Sequence, residues 1–489
     1  MKIPLIGGAY PGRSPNVAAQ TCINYFYEQT VDGDSLVSTH GDSVFVDMGS
    51  GEVRGGIEYD GKAWFVMGDT LYEVTSAGKA TSRGTINTVS GRISMAHNGT
   101  RAGANQQIMI VDGSDGWIYD NTAATLTEIT DADFTDTESV VFIDGYFIFA
   151  QKDSDRFGLT SQYDGTAVSA TDFSTAEGDS DVIQSLIADQ RELFVFGKRT
   201  FEVWYNSGDS DNTFQRFQGG FKQVGCVAKH TPARINNNIY WLSQDERGDG
   251  QVVRLGSDYL PEVISSQEMS YRLSTYTSIA DAFSYVYQHE GHEFYVITFP
   301  SEKATWAFDA STQIWHQRGH TINGVFPNRE AYNCHVFVFG KHLFGDISNG
   351  KIYALDATVG THDGARIPRE RITATVTDEE KRIRISSIQL DMEEGIGDPN
   401  SSTDTSMWLS WSKDGGHTYS DEIDRSAGDA GDYRRRVIWR RLGDARNWTF
   451  RLRTWTPNPH ILKGLYARLW GTSEDREYVS MRQREAVDA

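Results

Sequence analysis

From about residue 50, apolar and polar positions alternate in short runs that come in pairs around tight turns. The turns and the strands behind them read Asp60-Gly61 then AWFVM, Gly103–Asn105 then QIMIV, and Asp144-Gly145 then YFIFA. Next come Asp189-Gln190 then ELFVF, Asn236–Asn238 then IYWLS, Glu290-Gly291 then EFYVI, and Asn333 then HVFVF. Period-two alternation around Asp-Gly and Asn-rich turns predicts antiparallel hairpins. Third strands ending in aromatics often follow, among them Leu71–Val74, Trp117–Tyr119, Phe201–Tyr205, Trp306–Phe308 and Lys351–Leu355. The hairpins recur roughly every 40 to 54 residues, the spacing of propeller blades of three or four strands. Seven hairpins fit a seven-bladed ring, or six blades with one repeat given to another layer. Two packed β-sandwiches are the alternative, but sandwich strands recur at ~8–12 residues without such a superperiod.

The pattern predicts an all-β chain: a six- or seven-bladed β-propeller over 51–360 and a β-sandwich (platform-like) domain over 361–470. Residues 1–50 read as an irregular N-terminal arm that packs with the C-terminal domain and can lend it strands, because a propeller's ends meet where the ring closes. The repeat stops in the polar loop ATVGTHDGARIPRE, and strands of different character follow: ITATVT, RIRISSIQLDM and MWLSWS. Residues 471–489 are charged with few apolar positions and read as a flexible tail.

Charge changes the picture most at Tyr433–Trp470. This stretch holds nine Arg and Lys463 against Asp444, inside a chain of net charge −21. Its strands place Trp439, Phe450 and other apolar residues on one face and Arg440 and Arg451 on the other, with turns expected at Gly443-Asp444 and Thr456–Pro459. Arg434, Arg435, Arg436, Arg440, Arg441, Arg451, Arg453 and Trp455 are therefore candidate interface residues. Arginine and aromatic side chains are enriched in protein interfaces, and the acidic loops elsewhere are natural partners. The net negative charge argues against broad affinity for DNA, and a like-charged wall lets a duplex slide past.

Gly is abundant at 47 and Pro low at 11, as expected for many strands joined by tight turns. The N-terminus lacks a signal-peptide core and no apolar run approaches the ~18 residues of a membrane helix. A protein made in the cytoplasm without membrane insertion is expected. Cys22, Cys226 and Cys334 are odd in number, far apart and read as buried reduced thiols.

Candidate chemistry is sparse. Ser412, Asp414, Gly416, Thr418 and Tyr419 fit the Asp-box pattern S-x-D-x-G-x-T-aromatic found in sialidases and many other β-proteins, in which the Asp caps turn N–H groups. Arg366-Ile367-Pro368 matches the tripeptide that supplies a carboxylate-binding arginine in sialidases, although there it precedes the catalytic propeller. His289-Glu290-Gly291-His292 lacks the helical i, i+4 spacing of a zinc site. The loops Glu177–Asp181, Ser207–Asp211 and Asp245–Asp249 carry carboxylates but not the ligand order of an EF-hand. No catalytic residue, metal site or cofactor is expected, and the chain does not read as an enzyme. The rival functional class is a carbohydrate-binding or sialidase-like glycan-processing propeller.

The run RRVIWRRLGDARNWTFRLRTWTPNPHILKG resembles the C-terminal signature of the tail hub (nozzle) proteins of short-tailed phages, also called packaged-DNA stabilisation or head-completion proteins. The resemblance extends to RGGIEYDGKAWFVMGDTLYEV (54–74), SGRISMAHNG (90–99) and the region 157–206, and loosely to most of the chain. It implies a structural virion protein of the tail, assembled as a homohexameric ring below the portal and its adaptor. Such a ring continues the DNA channel, helps retain packaged DNA and anchors a needle or plug and tailspikes or fibres. Double-stranded DNA passes through its lumen without specific binding.

Overall fold

The computed structural model describes residues 1–469 except 16–17, 32, 177–180, 210–211, 380 and 396–404. The reading of a tail at 471–489 lies outside these residues. The chain forms two compact units, and neither is continuous in sequence. One comprises Asp42–Thr305 and Asn328–Leu355; the other comprises Met1–Gly41, Trp306–Pro327 and Asp356 onward.

The first unit is the propeller. Five four-stranded antiparallel sheets follow one another over 53–85, 94–128, 137–175, 183–216 and 233–263. A sixth repeat supplies the hairpin Phe283–His289 and His292–Phe299. The strands after it, Ala304–Asp309 and Ile314–Arg318, fall largely in the other unit. The seventh sheet is Tyr332–Val338, Lys341–Asp346 and Lys351–Asp356, completed by Gly41–Asp47 from the N-terminal side. The blade count is therefore seven. Strand Gly41–Asp47, assigned above to the arm, instead fills the outer position of the last blade.

Second strands of the blades are buried on both faces, as in Gln107–Val111, so they read as continuous apolar runs. The hairpin turns hold residues at positive φ, including Asp60 at 53° with Gly61 at 68° and Asp144 at 50° with Gly145 at 95°. In the fourth blade Gln190 and Arg191 occupy these positions, at 48° and 68°, so the turn sits one residue later than Asp189-Gln190. A separate apolar cluster fills each of several blade junctions. Val53, Phe65 and Val74 of the first blade pack with Val336, Leu343 and Ile352 of the last, closing the ring. Trp64 with Trp117, Met109 with Phe149, Leu159 with Leu193, and Phe196 with Trp241 anchor four further junctions.

The helix Gln267–Ser274 was not legible beforehand. Ser266 caps it, accepting from the Met269 N–H at 3.2 Å, while Met269 and Leu273 are buried. It lies between the fifth and sixth repeats and accounts for their longer spacing.

The second unit is a sandwich of two sheets. One runs Tyr25–Thr30, Gly33–Ser38, Ile461–Leu469, Ile383–Met392 and Val437–Ala445, with Lys2–Ile3 also paired to Ile461–Leu469. The other contains Ile314–Arg318, Ala19–Ile23, Arg369–Ile372, Thr449–Thr454, Ser406–Ser412 and Ile423–Ser426. Ile385, Ile388, Leu390, Leu462, Leu465 and Trp439 of the first sheet are buried, as are Met407, Leu409, Phe450 and Leu452 of the second. Two indole N–H groups tie the sheets together: Trp439 donates to the Ile423 carbonyl at 2.7 Å and Trp448 to the Ile383 carbonyl at 3.0 Å. Residues 1–38 supply strands of the sandwich, paired with the C-terminal segments.

Candidate interaction surfaces and the cores that hold them

The arginine-rich stretch does not form one cationic face. Gly443-Asp444 is not a turn; both residues lie within strand Val437–Ala445, opposite Ile385 and Arg384. The chain changes sheet at Arg446–Trp448, so Val437–Ala445 and Thr449–Thr454 belong to different layers of the sandwich. A bulge adds a further correction. Arg441 has φ 67°, and the register slips opposite Ile385–Ser387, so simple alternation fails there. Trp439 and Leu442 are buried, whereas Arg440 and Arg441 are both exposed. Arg434, Arg435 and Arg436 precede the strand and are also exposed.

Arg453 and Arg451 sit in the other sheet, and both are spoken for. Arg453 Nε donates to Glu370 at 2.6 Å, and its Nη1 lies 3.2 Å from Glu422. Arg451 Nη2 lies 3.4 Å from the same Glu422 oxygen, and its Nε donates to Ser410 Oγ at 3.0 Å. The Arg451 guanidinium stacks 4.5 Å above the Tyr419 ring. Half-buried Arg451, Arg453 and Glu422 and buried Glu370 thus form a neutral network of two cations and two carboxylates. Trp455, half-buried, packs edge-on against Trp408 at 6.0 Å.

The Asp box is a closed turn. Ser412 Oγ donates to Asp414 Oδ1 at 2.6 Å and accepts from the Gly416 N–H at 2.8 Å. Asp414 accepts from the N–H groups of His417 and Thr418 at 3.0 and 2.9 Å and from Thr418 Oγ1 at 2.5 Å. These donors, Ser412 and Thr418 foremost, hold its carboxyl well below the usual range. Gly416 supplies φ 98°. Tyr419 carries the Arg451 guanidinium on its ring.

Sequence reasoning missed the buried arginines. Arg371, 0% exposed, donates to the carbonyls of Leu5, Gly8 and Thr21 at 2.6, 2.8 and 2.9 Å. Arg369, 1% exposed, donates to Thr456 and Thr39 carbonyls at 3.1 and 2.9 Å. Burial lowers both pKa values, Arg369 to about 10. The two guanidinium forks pin the N-terminal strands to the C-terminal ones. The signal available was the alternation Arg369-Glu370-Arg371-Ile372, in which Glu370 turns outward to Arg453.

Polar side chains also cross the propeller axis. In four blades the first strand slips register after its first residue, skipping Arg54, Glu138, Gln184 and Asn333. Glu138 of the third blade pairs with Lys229 at the start of the fifth. Arg92, at the start of the second, lies 3.9 Å over the Phe283 ring of the sixth and donates to Asn333 of the seventh at 2.9 Å. Contacts between blades that are not neighbours must span the central space. Burial pulls Arg92 down to about 10 and, with the charges of Arg92 and Lys229, His230 to about 3.

The remaining sequence candidates serve turns. Asp245 accepts from the Arg247 and Asp249 N–H groups, and Asp181 from those of Arg199 and Thr200. Residues 177–180 and 210–211 of the other acidic loops lie outside the described residues. Glu290 and Gly291 take φ 50° and 86° in a hairpin turn, and His292 stacks on Phe294 at 5.7 Å. The three cysteines are free and buried, with burial raising Cys226 to about 12. No helix among the described residues is long and apolar enough to cross a membrane.

Among solved structures, the chain is similar to PorZ of Porphyromonas gingivalis (11% identity, TM-score 0.39), covering 69% of this chain and 44% of that one. It is similar to the Neurospora crassa Pan2 WD40 domain (9%, TM-score 0.40; 62% and 89% covered). It also resembles the extracellular domain of BT4673 from B. thetaiotaomicron (12%, TM-score 0.40; 89% and 62% covered). None of the curated proteins matches. Two family models do match: the β-propeller of bacteriophage P22 Gp10 over residues 1–360 and the β-sandwich of the same protein over 368–469. With a propeller and a sandwich matched in that order over nearly its whole described length, the chain belongs to the bacteriophage P22 Gp10 family, structural virion proteins of the tail hub or nozzle type found in short-tailed phages.

Proposed function

We propose that the chain assembles as a homohexameric ring in the virion tail, below the portal–adaptor complex, and extends the DNA channel. In that position it helps to retain packaged DNA and anchors a needle or plug together with tailspikes or fibres. The family match supports the structural role, and one observation supports the ring in particular. The propeller's own axial space is bridged by Arg92, Phe283, Glu138 and Lys229. Side chains that meet across that space leave no passage for a duplex. DNA leaving a capsid must then pass through a lumen enclosed by several copies. The propeller unit supplies a suitable wall, since its segments carry 22 Lys and Arg against 40 Asp and Glu.

The rival glycan-processing reading loses its main support. Asp414 is fully engaged as a turn cap, and Arg366 is an exposed residue of a two-residue strand. Membership of a structural family favours a non-catalytic role. Electron microscopy of the purified chain, alone and mixed with portal–adaptor particles, tests the proposal. Sixfold rings capping the adaptor are expected; a chain that neither forms rings nor binds the adaptor would sink it.

A further inference from the structure

The outer face of the sandwich sheet that carries Arg440 gathers exposed cations around an exposed tyrosine in an otherwise acidic chain. Strand register places its side chains in rows. Arg440 and Arg468 flank Ser387, and Ile438 and Tyr466 flank Gln389, with Lys2 beyond Tyr466. Tyr466 is 42% exposed at the middle of this group, and Arg440, Arg468 and Lys2 are exposed around it. Of the acids beside it, Asp444 is paired with Arg382 at 2.5 Å, and Asp391 follows Gln389 on the same side of its strand, opposite Gly464.

We propose that this face docks the acidic propeller unit of a second copy of the chain. The inference rests on the ring reading above and names the surface that would build the ring. Its composition, an exposed tyrosine and a half-buried isoleucine framed by arginines, is that of an interface centre rather than a solvated strand face. The occupant follows from charge. The propeller segments hold an excess of 18 acids, 40 against 22 cations, whereas the rest of the chain is nearly balanced at 27 against 24. A surface of one sign on one unit and a field of the opposite sign on the other unit make copies complementary head to tail, the arrangement a closed ring requires. A duplex is the competing polyanion. The same acidic field that attracts the cationic face of a neighbour repels DNA, and a handful of cations neutralises too few phosphates to overcome it.

The test compares full-length wild type with Arg440→Glu/Arg468→Glu and with Tyr466→Ala. Ring formation is read by light scattering and by counting rings on portal–adaptor particles, together with melting curves and duplex-DNA anisotropy. The double reversal is expected to lower assembly at least about tenfold, and Tyr466→Ala several-fold, with melting midpoints unchanged because all three side chains lie off the core. Wild-type assembly is expected to weaken as salt rises past the range where the Debye length is ~8–10 Å. Wild-type rings together with normal assembly of the double variant would overturn this surface and leave the ring reading standing. Normal assembly with lost duplex binding would reassign the face to DNA. Wild type that forms no ring under any condition would overturn both.

Discussion

At the scale of single residues, the same side-chain type does three different jobs, decided by what surrounds it. Arg440 is exposed and available to a partner. Arg451 and Arg453 are neutralised by Glu422 and Glu370, and Arg369 and Arg371 are buried on backbone carbonyls. Reversing Arg451 would therefore set a third carboxylate beside Glu422 and strip Tyr419 of its cation, so it does not isolate an interface effect. Replacing Arg371 by Met is expected to destabilise the chain strongly. It removes charge-assisted bonds worth ~1.5–3 kcal/mol each and orphans the carbonyls of Leu5, Gly8 and Thr21. Limited proteolysis should then cut within the first 40 residues. An unchanged melting point with a protected N-terminus would refute the pinning role. Asp414→Ala removes a turn cap and is expected to cost on the order of 1 kcal/mol, read as a lower melting midpoint without loss of assembly. A loss of glycan binding at unchanged stability would revive the rival reading.

At the scale of elements, four histidines, His460 buried and His230, His335 and His342 half-buried, give the fold a pH dependence. Burial, aided by neighbouring cations or histidines, holds His230, His335 and His460 at about 3 and His342 at about 4, against an ordinary 6.5. The folded chain keeps these rings neutral while the unfolded chain takes up protons below 6.5. The stability they contribute is complete above 6.5 and is lost as pH falls from there toward 3 to 4. Each ring contributes a slope of about 1.4 kcal/mol per pH unit in that window. Melting midpoints measured from pH 7.5 down to 4 should stay level at first and then drop steeply below 6.5. A flat profile to pH 4 would contradict the desolvation of these rings. The blade strands themselves were legible because Asp-Gly and Asn-rich turns fix a hairpin locally. Bulges at Arg54, Glu138, Gln184, Asn333 and Arg441 were not, since a bulge breaks the alternation from which a face is read.

At the scale of the whole molecule, the N-terminal 47 residues belong to both units. They give Ala19–Ile23, Tyr25–Thr30 and Gly33–Ser38 to the sandwich and Gly41–Asp47 to the last blade. The segment 361–470 is thus an incomplete sandwich, although its sequence reads as a domain. Expressed alone, it is expected to lack a cooperative thermal transition, because Arg369 and Arg371 would be left with several of their carbonyl partners missing. A stable, cooperatively melting 361–470 fragment would overturn this account.

The amino-acid sequence by itself determined what is local and periodic. Alternation and turn chemistry specified the hairpins, their recurrence specified a ring of blades, and the Asp-box residues specified their own turn. What only the tertiary structure decided is which segments meet. Completion of the seventh blade depends on Gly41–Asp47 pairing with a strand some 300 residues away. The division of the arginines between two opposite sheets depends on the chain crossing layers at Arg446–Trp448. Pairings between distant segments are selected by burial and by the satisfaction of backbone groups across the whole chain, and no window of sequence contains both partners.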